Sequence, residues 1–181
     1  QIVLKPDKEA ICWYAMSAIY RSELKVKEYL DSRNIECYIP MTEVLKTRRG
    51  RKIKETVPAV CNLIFVHSTS DIINDVKIYQ PRLQFKTMVI DGRNERIKVP
   101  DAQMEAFIKA SSDKDIVKQY IDPSSLNLRA GQRVKVTLSN GTEVVGVIIS
   151  HKKNKKKVVI NAGNVIALTF DGSDKSIEIL E

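Results

Sequence analysis

The side chains best suited to nucleophilic or metal chemistry in this 181-residue chain are two histidines, His67 and His151, and three cysteines, Cys12, Cys37 and Cys61. Cys61 and His67 lie six residues apart, so on one strand they share a face. At the rise of an extended chain their backbones are ~20 Å apart, too far to ligate one metal or to form a nucleophile–base pair. No CxxC pair occurs, and each cysteine sits in an apolar run, which predicts reduced structural thiols rather than a disulfide framework. P-loop, GxGxxG, GxSxG and HExxH patterns are absent. The acidic residues are scattered and usually adjoin a Lys or Arg, as on a solvated surface. No catalytic residue, metal or cofactor is expected, and the chain reads as a non-enzyme.

The cations are better organised. Thirty Lys and Arg against 22 Asp and Glu give a formal charge of +8, which favours polyanionic partners. Arg21, Lys25, Tyr29 and Arg33 recur every four residues and form one drifting helical stripe, while Val26 and Leu30 turn toward another face. Cations with an aromatic can hold phosphates and stack an exposed base; the same pattern also fits a solvated face with Tyr29 partly in the core. Arg48, Arg49, Arg51, Lys52 and Lys54 crowd around Gly50. Their mutual repulsion destabilises an isolated hairpin, and a nucleic-acid backbone would relieve it while releasing counterions. A soluble loop or a charged edge is the competing reading. "HKKNKKKVVI" (151–160) places five lysines at a turn that is either simply solvated or a weak RNA or ribosome contact.

These residues need elements to carry them. "ICWYAMSA" (11–18) is strand-like, "YRSELKVKEYLDSR" (20–33) helical with Asn34 as a stop, and "IECYIPMTEVLKT" (35–47) a strand interrupted near Pro40. The basic segment forms a hairpin leading into "CNLIFVHS", whose Leu63 and Phe65 share a face with Cys61 and His67 while Ile64 and Val66 point the other way. Both faces are apolar, so from the pattern alone each residue reads as core. "DIINDVKIY" (71–79) is a short helix starting on an N-cap type, "FKTMVIDGRNERIKV" (85–99) two strands about an Asp-Gly turn, and "PDAQMEAFIKAS" (100–111) a helix with Pro near its start. Beyond Ser112 a polar segment with Pro123 precedes short strands only, with hairpin signals at Ser139-Asn140-Gly141 and Asp171-Gly172. The fold expected is α+β: an N-terminal antiparallel sheet with flanking helices over residues 1–112, a linker over 113–123, and a small all-β barrel over 124–181. No run is long enough for a transmembrane helix and no leader pattern is present, so no membrane partner and a cytoplasmic location are expected.

In order along the chain, "WYAMSAIYRSELKVKEYL", "ECYIPMTEVLKTRRGRK", "CNLIFV" and "KVPDAQMEAFI" resemble the N-terminal (NGN) domain of NusG-type transcription elongation factors, and "LRAGQRVKVTLSNGTEVVGVIIS" resembles the SH3-like KOW module that follows it, its glycine matched by Gly146. Asn62 stands where NusG itself usually has Gly, as in the specialised antitermination paralogs of the RfaH and UpxY type; Leu63-Ile64-Phe65 is most similar to the UpxY version. The resemblance implies a factor that binds the clamp helices of RNA polymerase and suppresses pausing and termination on specific operons such as capsular polysaccharide clusters. It implies that Leu63, Phe65 and Ser17 fall at the polymerase pocket, reversing the core reading of Leu63 and Phe65. It also implies that Lys25, Tyr29 and Arg33 fall where the displaced non-template strand is read. Arg21 and the hairpin cations Arg48, Arg49, Arg51 and Lys52 would lie near non-template DNA or nascent RNA. Ribosomal protein S10 or Rho are the partners implied for the KOW domain. Cys61 replaces the family's Pro, and "INDVK" (73–77) replaces the histidine–threonine run of the RfaH type. A general NusG is the nearest rival, and an RNA-binding or ribosome-associated KOW protein is the alternative of a different class. The KOW domain of the RfaH type can refold into a helical hairpin; here the alternating valines and the Asn-Gly turn predict that residues 132–170 stay extended. Helical amide shifts across that range in solution would contradict this.

Overall fold

The structure, a computed structural model, describes residues 10–152, 155–173 and 176–180. In chain order the elements begin with β1 (Cys12–Ala18), α1 (Glu23–Ser32), β2 (Glu36–Tyr38), β3 (Met41–Arg48), β4 (Arg51–Pro58) and β5 (Leu63–Ser68). They continue with α2 (Ser70–Tyr79), β6 (Leu83–Phe85), β7 (Thr87–Ile90), β8 (Arg93–Arg96), β9 (Lys98–Val99) and α3 (Asp101–Ser112). Six strands close the chain: β10 (Lys118–Ile121), β11 (Gln132–Thr137), β12 (Glu143–Lys152), β13 (Lys155–Ala162), β14 (Ile166–Ser173) and β15 (Ile177–Ile179). The contacts define two compact units. One contains the described residues up to Ile39 together with Cys61–Val99; the other contains Pro40–Val60 and the chain from Pro100 onward.

The first unit is built on β1 and β5, paired antiparallel from Cys12↔Ser68 to Ser17↔Leu63. Their apolar residues are continuous rather than alternating, so both faces of the pair must be covered. Tyr14, Ala15, Met16, Ile64, Phe65 and Val66 are accordingly all buried. Strand β2 adds to β5, and β6 and β9 both add to the other edge of β1. Between them, Ala15 donates to Ile97 O and accepts from Lys86 N, so the β7–β8 hairpin leaves the sheet at a root fixed on β1. Its Asp91-Gly92 turn has φ of 49° and 76°, the left-handed pair that an Asp-Gly hairpin turn favours. On α1, Val26 and Leu30, four residues apart, are buried, and Asn34 ends the helical run with φ 56°. Thr69 caps α2, its hydroxyl accepting from Ile72 N, so the cap lies two residues before the Asp71 that the sequence suggested.

In the second unit β3 and β4 pair from Met41↔Pro58 to Arg48↔Arg51, closed by Arg49-Gly50 with φ of 51° and 75°. The C-terminal strands form one antiparallel sheet in the order β10-β14-β13-β12-β11-β15. The polar segment after Ser112 thus contributes a strand, β10. Its Lys118 amine donates to the carbonyls of Ala110 and Asp113, satisfying the end of α3, and burial lowers that lysine's pKa. Ser139-Asn140-Gly141 is a turn, as its residue types predict, with Gly141 at φ 82°. Asp171-Gly172 is not. It lies inside β14, paired with Lys157 and Lys156, and the turn between β13 and β14 is made by Gly163-Asn164, both in the left-handed region. Gly172 serves packing there: a Cβ would sit 2.7 Å from Ile177 Cδ1.

Gly146 on β12 is also required for close approach, since a Cβ there would meet Val158 Cγ1 and the Val159 carbonyl oxygen at 2.9 Å. Gly146→Ala is expected to destabilise the all-β unit by about 1–3 kcal/mol through overpacking. A thermal melt should fall by about 4 °C or more; an unchanged melt would show that β13 yields freely.

Candidate nucleic-acid interface

The α1 surface is set by the turn at the start of β5. Asn62 takes φ 63°, a conformation that costs most residues about 1–2 kcal/mol and that Gly and Asn tolerate. Its backbone N–H donates to the carboxylate of Glu23, and its side-chain Oδ1 accepts from Arg21 N at 2.8 Å. Its carbonyl accepts from Ala18 N at 3.1 Å. Glu23, in the first turn of α1, is 2% exposed. A carboxylate there is favoured by the helix N-terminus as well as by Asn62. Tyr20 and Arg21 also have positive φ, of 59° and 53°. The loop is therefore strained, and the bonds to Asn62 and Glu23 hold it in place.

Arg21 belongs to this loop rather than to the helix, which corrects the regular four-residue stripe. Lys25 is exposed on α1, Tyr29 is half-buried one turn later, and Arg33 is the C-cap. The Arg33 guanidinium lies 5.1 Å from the centre of the Tyr29 ring, a cation–aromatic contact. The stripe thus resolves into a helical pair, Lys25 and Tyr29, with Arg33 folded onto the ring. Tyr20, 78% exposed, carries a further cation, Arg82 at 5.7 Å. Sixty-two residues of separation left no sequence signal for that pairing.

The hairpin cations divide between two faces. Arg48, Arg51 and Lys46 share one with Glu55, which ion-pairs with Lys46 at 2.8 Å and Arg48 at 3.9 Å. The hydrogen bond from Lys46 holds the Glu55 carboxyl below its usual range. Lys52 and Lys54 lie on the other face, and Arg49 sits in the turn. Among the described residues, Arg49, Arg51, Lys52 and Lys54 make no ion pair. One face is partly neutralised and the other carries bare charge. The lysine turn of the C-terminal sheet cannot be compared in this way: residues 153 and 154 and the side chains of His151, Lys152 and Lys155 lie outside the described residues.

Leu63 and Phe65 are 4% and 0% exposed. The strand pattern's core reading describes their placement, and neither offers an open docking surface. Ser17, half-buried, is opposite Leu63 on β1. Nearby, His67 stacks on Trp13 with ring centres 4.6 Å apart and bonds Glu36 through Nδ1 at 2.7 Å. Burial pushes the Cys37 thiol up to about 11, which disfavours the nucleophilic thiolate. Among the described residues no group of three or more His, Cys, Asp or Glu could hold a metal.

Residues 11–108, from just before β1 to within α3, match the family model described as "Transcription termination factor nusG". That is more than half of the chain. The chain belongs to the NusG family. Among solved structures it is similar to one titled "Domain interaction in Thermotoga maritima NusG", at 18% identity, covering 95% of this chain and 98% of that one, with a TM-score of 0.45. No curated protein sequence matches it. The NusG-family match spans the α1 surface, the basic hairpin and β5 together. The left-handed backbone at Asn62 is one that Gly tolerates as readily as Asn. The residue type at this position therefore does not by itself separate a general factor from a specialised one.

Asn62→Ala is expected to destabilise the first unit by about 2–3 kcal/mol, combining the left-handed penalty with the lost bond to Arg21. Asn62→Gly keeps the conformation and should cost about 1 kcal/mol. Urea unfolding orders the three proteins, and equal losses for both variants would show that conformation is not the constraint. On alkylation with iodoacetamide at pH 8, exposed Cys61 should react well ahead of Cys37; equal rates in the folded protein would contradict the burial of Cys37.

Proposed function

We propose that this NusG-family chain is an operon-specific antitermination factor of the RfaH and UpxY type. It binds the clamp helices of RNA polymerase and suppresses pausing and termination on operons such as capsular polysaccharide clusters. The observation that carries the reading is the Lys25–Tyr29–Arg33 surface of α1, a cation and a cation-capped aromatic on a helix whose start is held by Asn62. Phosphates of the displaced non-template strand pair with Lys25 and Arg33, and an unstacked base rests against Tyr29. Arg21 and the hairpin cations Arg48, Arg49, Arg51 and Lys52 add contacts to DNA or nascent RNA that carry no sequence information.

Residues 1–112 act as the polymerase-binding module, 113–123 as its connection, and 124–181 as the KOW module, which takes ribosomal protein S10 or Rho. Leu63 and Phe65, being buried, shape the polymerase site from beneath, and Ser17 is its accessible part. This decides the test. Aspartate at Leu63 or Phe65 would bury a charge and unfold the sheet, so Ser17→Arg is the informative variant.

Wild-type protein is expected to bind core RNA polymerase, and Ser17→Arg to weaken binding by about tenfold or more, about 1.4 kcal/mol. Lys25→Glu/Arg33→Glu should keep affinity for the core enzyme and lose affinity for complexes that expose a displaced strand. Polymerase binding unaffected by Ser17→Arg would remove the assigned contact. Affinity for RNA or ribosomes without affinity for polymerase would favour an RNA-binding or ribosome-associated KOW protein.

A further inference from the structure

A second group of cations gathers at the root of the β7–β8 hairpin, using none of the residues assigned above. Phe85, the last residue of β6, is half-buried, with its ring edge-on to Tyr14 at 5.3 Å. The Arg96 guanidinium lies 3.9 Å from the Phe85 ring centre and the Lys77 amine 5.1 Å from it. The Lys98 amine is 5.7 Å from the centre of the Tyr14 ring. Three cations from α2, β8 and β9 thus converge on one aromatic pair.

The topology places Arg96 and Lys98 here, and α2 adds Lys77. Ile97 N donates to Lys86 O, and both residues bond Ala15, so the two ends of the hairpin are clamped side by side on β1. Phe85 and Arg96 flank that clamp, and Lys98 follows it directly. Four lysines elsewhere in the chain are matched by acids: Lys27 with Asp31, Lys46 with Glu55, Lys109 with Glu105 and Lys135 with Glu143. Among the described residues, Lys77, Arg96 and Lys98 have no such ion pair. Like charges gathered around one aromatic pair repel, the two rings offset only part of that, and an anion would offset the rest.

We infer that the root of the β7–β8 hairpin is a phosphate-binding site for single-stranded nucleic acid, formed by Lys77, Arg96 and Lys98. The inference rests on the nucleic-acid reading proposed above and adds a separate surface to it. Contact with the Phe85 ring anchors the Arg96 guanidinium, whose N–H groups suit two parallel bonds to a phosphate. Lys77 and Lys98 supply point charges to either side. The hairpin beyond the root exposes Met88, Val89 and Ile90 at 38%, 69% and 46%. That apolar strand suits the faces of unstacked bases, which a duplex keeps buried, so the site favours a single strand without regard to sequence.

The test measures binding of the full chain to fluorescent single-stranded DNA and RNA of the same sequence, titrated with salt. For Lys77→Gln/Arg96→Gln/Lys98→Gln, affinity is expected to fall about tenfold or more, and the slope of log K against log salt to become shallower by about two, as for three lost phosphate contacts. Arg96→Lys, which keeps the charge and loses the fork, should retain the slope. Lys98→Gln alone, at an exposed position, should make the slope shallower by about 0.7 and serves if the triple variant does not fold. An equal loss on DNA and RNA marks a backbone site, and a loss on one alone identifies the strand it serves; either supports the inference. Unchanged affinity and slope in the triple variant, while Lys25→Gln/Arg33→Gln weakens binding, would overturn the site and leave the proposed function standing. Failure of the wild type to bind either strand would overturn the site, and polymerase binding would then decide the proposed function separately. Loss of polymerase binding with nucleic-acid binding intact would reassign the patch to a protein contact and overturn the inference.

Discussion

Asn62 joins three parts of the first unit through one left-handed residue. Its carbonyl closes the end of β1, its amide holds the buried Glu23 carboxylate in the first turn of α1, and its side chain fixes the Arg21 backbone. The direction of α1 relative to the β1–β5 pair follows from these bonds, and so does the placement of Lys25 and Tyr29. A flexible loop would leave the same cations pointing anywhere. The strain at Tyr20, Arg21 and Asn62 is what a fixed, preorganised surface requires.

Charge is distributed with the same economy. Acids partner the cations that need only be soluble, as Glu55 does on one face of the basic hairpin. Among the described residues, the cations without an acid partner include Lys25 and Arg33 at α1, Arg49, Lys52 and Lys54 on the basic hairpin, and Lys77, Arg96 and Lys98 at the root of β7–β8. For some of these an aromatic ring holds the side chain in place of a counter-charge. Tyr29 does so for Arg33, and Phe85 for Arg96 and Lys77. Apolar contact sets the geometry of these cations and leaves their charge available to a polyanion.

The parts of the fold that sequence made legible are those governed by local chemistry. Apolar runs gave β1 and β5, a four-residue spacing gave the buried face of α1, and Arg49-Gly50 and Asp91-Gly92 gave their hairpins. Asp171-Gly172 misled because the same dipeptide also suits a strand where a neighbouring side chain, Ile177, presses close. Strand β10 was hidden in a polar segment, since its reason for being a strand is β14, about fifty residues away. At the candidate surface, the spacing found Lys25, Tyr29 and Arg33 but placed Arg21 on a helix it does not join. The continuous apolar run of β5 placed Leu63 and Phe65 in the core, and both are buried; the family resemblance assigned them a polymerase contact that burial alone does not address. The Lys77–Arg96–Lys98 convergence had no sequence signature, because it needs both ends of a hairpin clamped to β1 and a lysine from α2 beside them.

The role proposed for this NusG-family chain places its effect in the behaviour of the polymerase itself. The most direct measurement is the dwell time of a paused elongation complex, assembled with the cognate polymerase, with and without the full chain. The account predicts a shorter pause and fewer transcripts ending at a terminator, with both effects lost in Lys25→Glu/Arg33→Glu. A pause and termination frequency unchanged by the wild-type protein, at concentrations where it binds the complex, would contradict it.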